Sequence, residues 1–78
     1  MSWKFYIELN VDKDELKRTL LALGAKRVLF GDERKINGVK MVECSARFYE
    51  TAEKKIMDFL RSKDGVHFFQ FLTGGLYV

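Results

Sequence analysis

The chain has only 78 residues, of which 47% are hydrophobic and 32% charged, so it predicts one folded domain, residues 1–78, and excludes a disordered chain. Its net charge of +3 comes from 14 basic and 11 acidic residues mixed along the chain, a weaker and less clustered excess than dedicated nucleic-acid binders carry. One cysteine and one histidine exclude an internal disulfide and a zinc-finger site, and we expect neither a metal nor a cofactor.

The N-terminal stretch and the apolar runs predict a cytoplasmic protein with no membrane partner. No apolar run approaches the ~20 residues that a membrane helix needs. The opening MSWKFYIELN alternates from its third residue and lacks the basic start and apolar block of a secretory signal. The lone Cys44 is consistent with a reducing compartment.

A strand followed by a helix is predicted for the first 24 residues. Alternation over residues 3–10 is typical of a strand with one buried face, formed by Trp3, Phe5, Ile7 and Leu9. Asp12 and Glu15 then have the spacing of a capping box at a helix start. Leucines follow at helical spacing, and Gly24 marks the helix end, where a left-handed residue is common.

Asn37-Gly38 predicts a hairpin with a type I′ turn, because that turn needs positive φ at both central residues. Two strands of about ten residues flank the turn. A two-residue loop fixes their register, with the pairs Ile36–Val39, Arg34–Met41, Phe30–Ser45 and Leu29–Ala46. Gly31 is a candidate β-bulge, which would shift this register by one residue.

A second helix and a last strand complete the predicted fold. Thr51 is the expected N-cap of a helix whose apolar face comprises Ala52, Ile56, Phe59 and Leu60. Residues 63–65 are predicted to end that helix, and VHFFQFLT is predicted to form the fourth strand. Right-handed crossovers put both helices on one face of the sheet. The order therefore predicts an α+β, ferredoxin-like βαββαβ sandwich with a four-stranded antiparallel sheet of order 4-1-3-2.

This topology leaves one face of the sheet without helices, and the sequence predicts that large apolar residues lie there. From the unshifted register we expect Tyr6, Val28, Phe30, Met41, Tyr49 and two side chains of the last strand on this face. The predicted contact residues are Tyr6, Phe30, Met41, Phe69 and Phe71. Apolar patches of that size are uncommon on monomers, and covering them would stabilise a small domain appreciably.

Several partners fit such a surface, and the sequence leaves them open. A second copy of the chain would give a homodimer or higher homo-oligomer, through the last strand's edge or the exposed face. A small effector, a nucleic acid, or the chain's own tail after Gly74-Gly75 would also cover part of it. We expect self-association to be the main way in which this surface is covered.

No residue is predicted to be catalytic, although the sequence leaves enzymatic activity open. His67 has no assignable carboxylate and nucleophile beside it, as a catalytic histidine requires. Cys44 stands in an apolar strand, which favours a core position over a reactive thiolate. Asp32-Glu33 precedes Arg34-Lys35, which is typical of a solvated strand end.

Binding of RNA or single-stranded DNA is the alternative function. The stretch FYIELN at residues 5–10 loosely resembles the first-strand motif of RNA-recognition domains. Those domains stack bases on aromatic residues of the sheet, and Tyr6 is predicted to lie on the corresponding face. The third predicted strand does not supply the second motif of those domains. Arg34, Lys35 and Lys40 at the hairpin are the candidate phosphate contacts.

The second half of the chain, ARFYETAEKKIMDFLRSKDGVHFFQF, together with ALGAKRV earlier, resembles ACT-like regulatory domains in layout. That resemblance implies paired sheets and binding of amino acids or other small effectors at subunit interfaces. Residues 10–14 lack the Pro-Gly that the first loop of such domains carries. The sequence as a whole predicts a non-enzymatic binding or regulatory domain that self-associates through its sheet.

Overall fold

The computed structural model describes residues 1–72, which form an α+β fold with a four-stranded antiparallel sheet and two helices. The strand order is β2-β3-β1-β4, with every neighbouring pair antiparallel, and it is compatible with the predicted ferredoxin-like arrangement. The elements are β1 (Ser2–Glu8), α1 (Lys13–Ala22), β2 (Ala25–Ile36), β3 (Val39–Phe48), a 3-10 turn (Glu50–Ala52), α2 (Glu53–Ser62) and β4 (Val66–Leu72). In the described residues, neither helix combines the length and apolar character needed to cross a membrane.

The two helices begin differently. The Glu15 backbone N–H donates to Asp12 Oδ1 at 3.1 Å, so the predicted cap of α1 is confirmed. The predicted cap of α2 at Thr51 is wrong, because α2 begins at Glu53 and its N-cap position is Ala52. The Ala52 N–H donates to the Tyr49 carbonyl and closes a 3-10 turn, which places Thr51 inside that turn.

The core lies between one face of the sheet and both helices. Its strand members alternate along the chain, and those of β3 are Val42, Cys44, Ala46 and Phe48. Leu9, which we expected in the core, is 52% exposed because β1 already ends at Glu8. The buried cluster comprises Phe5, Ile7, Leu16, Leu20, Ala25, Val28, Val42, Cys44, Ala46, Phe48, Ile56, Met57, Leu60 and Val66.

A bulge in β2 changes the predicted hairpin register. The turn itself is confirmed, since Asn37 and Gly38 have φ of 52° and 80°. The register then shifts between Phe30 and Glu33, so Phe30 lies opposite Cys44 and not opposite Ser45. A shift of one residue moves every following side chain to the other face. The expected placement of Val28 and Phe30 on the helix-free face is therefore wrong, and both pack against the core.

A second irregularity lies between β1 and β4, where the register shifts between Lys4 and Tyr6. Here Phe68 adopts φ of 59°, and the bulge interrupts the alternation of β4. Phe69 packs against Phe5 with ring centroids 6.2 Å apart, and Phe71 packs against Trp3 at 5.5 Å. Phe69 and Phe71, two of the predicted contact residues, therefore lie on the helix side of the sheet and not on the helix-free face.

Candidate functional site

The helix-free face of the sheet carries a mixed set of side chains arranged in rows across the strands. The strand registers place partners in one row on the same face. Apolar, basic and acidic groups alternate within this set, so the face is not the continuous apolar patch that the sequence predicts. The rows are Leu72–Ser2–Arg47–Arg27, Gln70–Lys4–Ser45–Leu29, His67–Tyr6–Glu43 and Glu8–Met41–Arg34.

A charge cluster centred on Glu43 occupies the middle of this face. Glu43 Oε2 forms an ion pair with Arg34 Nε at 3.1 Å, and Glu43 Oε1 lies 3.9 Å from Lys4 Nζ. Met41, between Glu8 and Arg34 in its row, is only 5% exposed although it lies outside the main core. Little of the Met41 side chain is therefore available to a partner.

An aromatic corner formed by Tyr6, His67 and Phe68 lies at the β4 side of the same face. The Tyr6 and Phe68 rings meet edge to face with centroids 6.3 Å apart, and His67 Nε2 lies 2.6 Å from Glu8 Oε2. Phe68 remains 49% exposed. Its left-handed backbone costs roughly 1–2 kcal/mol for a residue with a side chain, so the bulge holds an exposed ring in a strained conformation.

The two edges of the sheet differ sharply in charge. Edge strand β2 contains six Lys, Arg, Asp or Glu residues, and charged side chains protect an edge from pairing with another chain. Edge strand β4, with the sequence VHFFQFL, contains none of those four residue types. Phe68 is exposed beside the helix-free face, and Phe71 is exposed on the helix side. The β4 edge is thus flanked by apolar surface on both sides.

The predicted site residues do not all come together. Of the five predicted contacts, Tyr6 and Met41 share the helix-free face. Arg34 also lies on that face, but its charge is engaged by Glu43. Lys35 and Lys40 are directly opposite each other on the other side of the hairpin. The three candidate phosphate contacts are therefore divided between two faces.

Two residues of this surface were missed in the sequence, namely Phe68 and Arg27. A positive φ at an aromatic residue has no sequence signal, because glycine and asparagine are the residues that normally mark it. Arg27 and Arg47 lie in one row only because of the bulge in β2, between Phe30 and Glu33. The candidate bulge at Gly31 was the available signal, and applying its shift would have placed Arg27 on this face.

Cys44 is a core residue. Burial raises the pKa of its thiol from 9.0 to about 12, so the group stays protonated at neutral pH. Its Sγ lies 3.5 Å from the Val42 carbonyl oxygen, to which the thiol donates. Within residues 1–72, no group of three or more potential metal ligands comes together. The tail after Gly74-Gly75, predicted as a possible cover for the sheet, lies outside the described residues.

Comparison with known proteins leaves the chain without an assigned family. No protein-family model matches it, and no curated protein matches it either. Its function is therefore inferred from the geometry of the sheet face and the β4 edge.

Proposed function

We propose that this chain is a non-enzymatic binding or regulatory domain that self-associates as a homodimer by pairing its β4 edge with β4 of a second copy. The observation that supports the proposal is the asymmetry of the two sheet edges: β2 contains six Lys, Arg, Asp or Glu residues, whereas β4 contains none and is flanked by exposed aromatics. An unprotected edge presents unpaired N–H and C=O groups to another strand.

The chemistry of β4 favours a second copy as the occupant. Two β4 strands can pair antiparallel about a two-fold axis, so that the same patch contributes from both subunits. The bulge at Phe68 confines regular pairing to the stretch after it, residues 69–72. Phe68 and Phe71 are each about half exposed, so covering each contributes about 1 kcal/mol, half of the value for a full aromatic side chain. The four rings of a dimer would add roughly 4 kcal/mol.

A ferredoxin-like topology with an ACT-like role is part of this proposal. Paired sheets place two copies of one surface side by side, which is the arrangement that the resemblance to ACT-like domains implies. A small effector bound at such an interface would couple ligand binding to association. The lone buried thiol of Cys44 is consistent with the reducing cytoplasm proposed for the protein.

A pair of lysine substitutions tests the edge assignment. Phe71→Lys places a charge beside the β4 edge, and Leu29→Lys places one at the β2 edge on the helix-free face. The two side chains are matched in exposure, at 46% and 48%. Size-exclusion chromatography with light scattering should show that Phe71→Lys shifts the protein toward monomer while Leu29→Lys leaves the dimer intact. Loss of the dimer in Leu29→Lys alone would instead place the interface on the helix-free face.

Binding of single-stranded nucleic acid is a second candidate, favoured by one observation: Tyr6 and the half-exposed Phe68 lie on the same face as Lys4, Arg27 and Arg47. Stacking on aromatic rings beside basic groups is a common mode of single-strand recognition. Filter binding of an oligonucleotide at two salt concentrations tests it, since phosphate contacts predict a steep loss of affinity with salt. Absence of binding at low salt would eliminate this candidate.

A further inference from the structure

A shallow pocket lies on the helix-free face, at the end of the sheet where β2 begins. Arg27 and Arg47 are direct cross-strand partners, and Arg47 is in turn opposite Ser2. Ser45 contributes a second hydroxyl from the next row, and Leu29 and Leu72 form apolar walls. The pocket has a volume of about 160 Å³, roughly ten times what one water molecule needs.

The electrostatics of this pocket are unbalanced. Like charges directly opposite each other on neighbouring strands destabilise a sheet. Among the ion pairs of the described residues, none involves Arg27 or Arg47. Among the rows of the helix-free face, Glu43 is the acidic residue closest to this pocket. It already forms ion pairs with Lys4 and Arg34. The register therefore places two arginine residues directly opposite each other at this end of the face, an arrangement that is unfavourable for the sheet.

We propose that this basic pocket binds the phosphate group of a small molecule. Two guanidinium groups match the double negative charge of a phosphate monoester, and each can donate two parallel hydrogen bonds to its oxygens. The hydroxyls of Ser2 and Ser45 can donate to the remaining oxygens. The leucine walls suit an apolar part of the ligand, and the pocket's volume suits a small group. This inference does not depend on the pairing of β4.

Titration with inorganic phosphate, followed by amide NMR, tests the proposal. We expect shifts centred on Ser2, Ser45 and Arg47, with saturation. The double substitution Arg27→Gln/Arg47→Gln should weaken phosphate binding at least tenfold. Its control is Lys17→Gln/Arg18→Gln, which removes the same charge from exposed positions of α1 and should bind as the parent does. Shifts spread over the surface, or equal loss in both variants, would overturn the proposal.

Two further measurements separate the pocket from its alternatives. Without phosphate, the arginine double variant should melt about 2–4 °C higher than the parent, because the like-charge pair is removed. A variant that is instead unfolded would be replaced by single Arg47→Gln, with the same NMR readout. A single-stranded oligonucleotide provides the second arm. Binding of the oligonucleotide without any binding of phosphate would refute the small-molecule assignment and support a nucleic-acid backbone as the ligand.

Discussion

Exchange of Val28 for threonine tests the bulged register of β2, which decides which residues lie on the helix-free face. Val28 is 4% exposed and packs in the core, whereas its neighbour Leu29 is 48% exposed. Val28→Thr keeps the volume but buries a hydroxyl among apolar side chains, which costs about 2 kcal/mol. For a domain of this size, that loss lowers the melting temperature by about 8–16 °C.

Leu29→Thr is the matched control for that substitution. About half of the Leu29 side chain is in water, so the loss of two carbons costs about 0.8 kcal/mol and a β-branched residue partly offsets it. Thermal unfolding and urea titration of both variants give the two free-energy changes, with an unchanged urea slope if the folded state is retained. An unshifted register would place Leu29 in the core, so a larger loss for Leu29→Thr than for Val28→Thr would refute the bulge.

Further predictions concern the core thiol and two glycines. The pKa of Cys44 is about 12 in the folded chain against 9.0 when exposed, so above pH 9 the unfolded state loses its proton first and stability falls as the pH rises toward 12. Cys44→Ala should lose less unfolding free energy than the parent between pH 8 and pH 10.5. Urea unfolding at these two pH values measures the loss, and equal losses in both proteins would disprove the prediction. Gly65→Ala should cost more than Gly38→Ala, because both have positive φ but only at Gly65 would the new Cβ lie 2.7 Å from Val11 Cγ2. Equal losses in thermal unfolding of the two alanine variants would contradict that contact.

The fold was largely accessible from the sequence, because each of its signals is local. The alternation of β1, the cap at Asp12 and the turn at Asn37-Gly38 depend on neighbouring residues, and the structure agrees with all three. The placement of side chains on the two sheet faces was much less accessible. It depends on register, and a single bulge reverses the face for the remainder of a strand.

The candidate site depends on two such bulges, which explains why only part of it was predicted. Gly31 hinted at the bulge in β2, and accepting it would have moved Phe30 into the core. The bulge in β4 occurs at Phe68, for which residue type offers no clue. Tyr6 lies in β1 and Met41 in β3, and the pairing of these two strands has no register shift. Their face was therefore predicted correctly.

Hydrogen–deuterium exchange at two protein concentrations tests the proposed β4 pairing most directly. Backbone amides that bond across a two-fold interface are protected only in the dimer, so their exchange slows as concentration rises. We predict that a peptide covering residues 66–72 gains protection at high concentration while a peptide covering residues 25–36 does not change. Concentration-dependent protection in residues 25–36 would contradict the account. So would an absence of such protection in residues 66–72 when the measured mass is that of a dimer, twice the chain's 9.1 kDa.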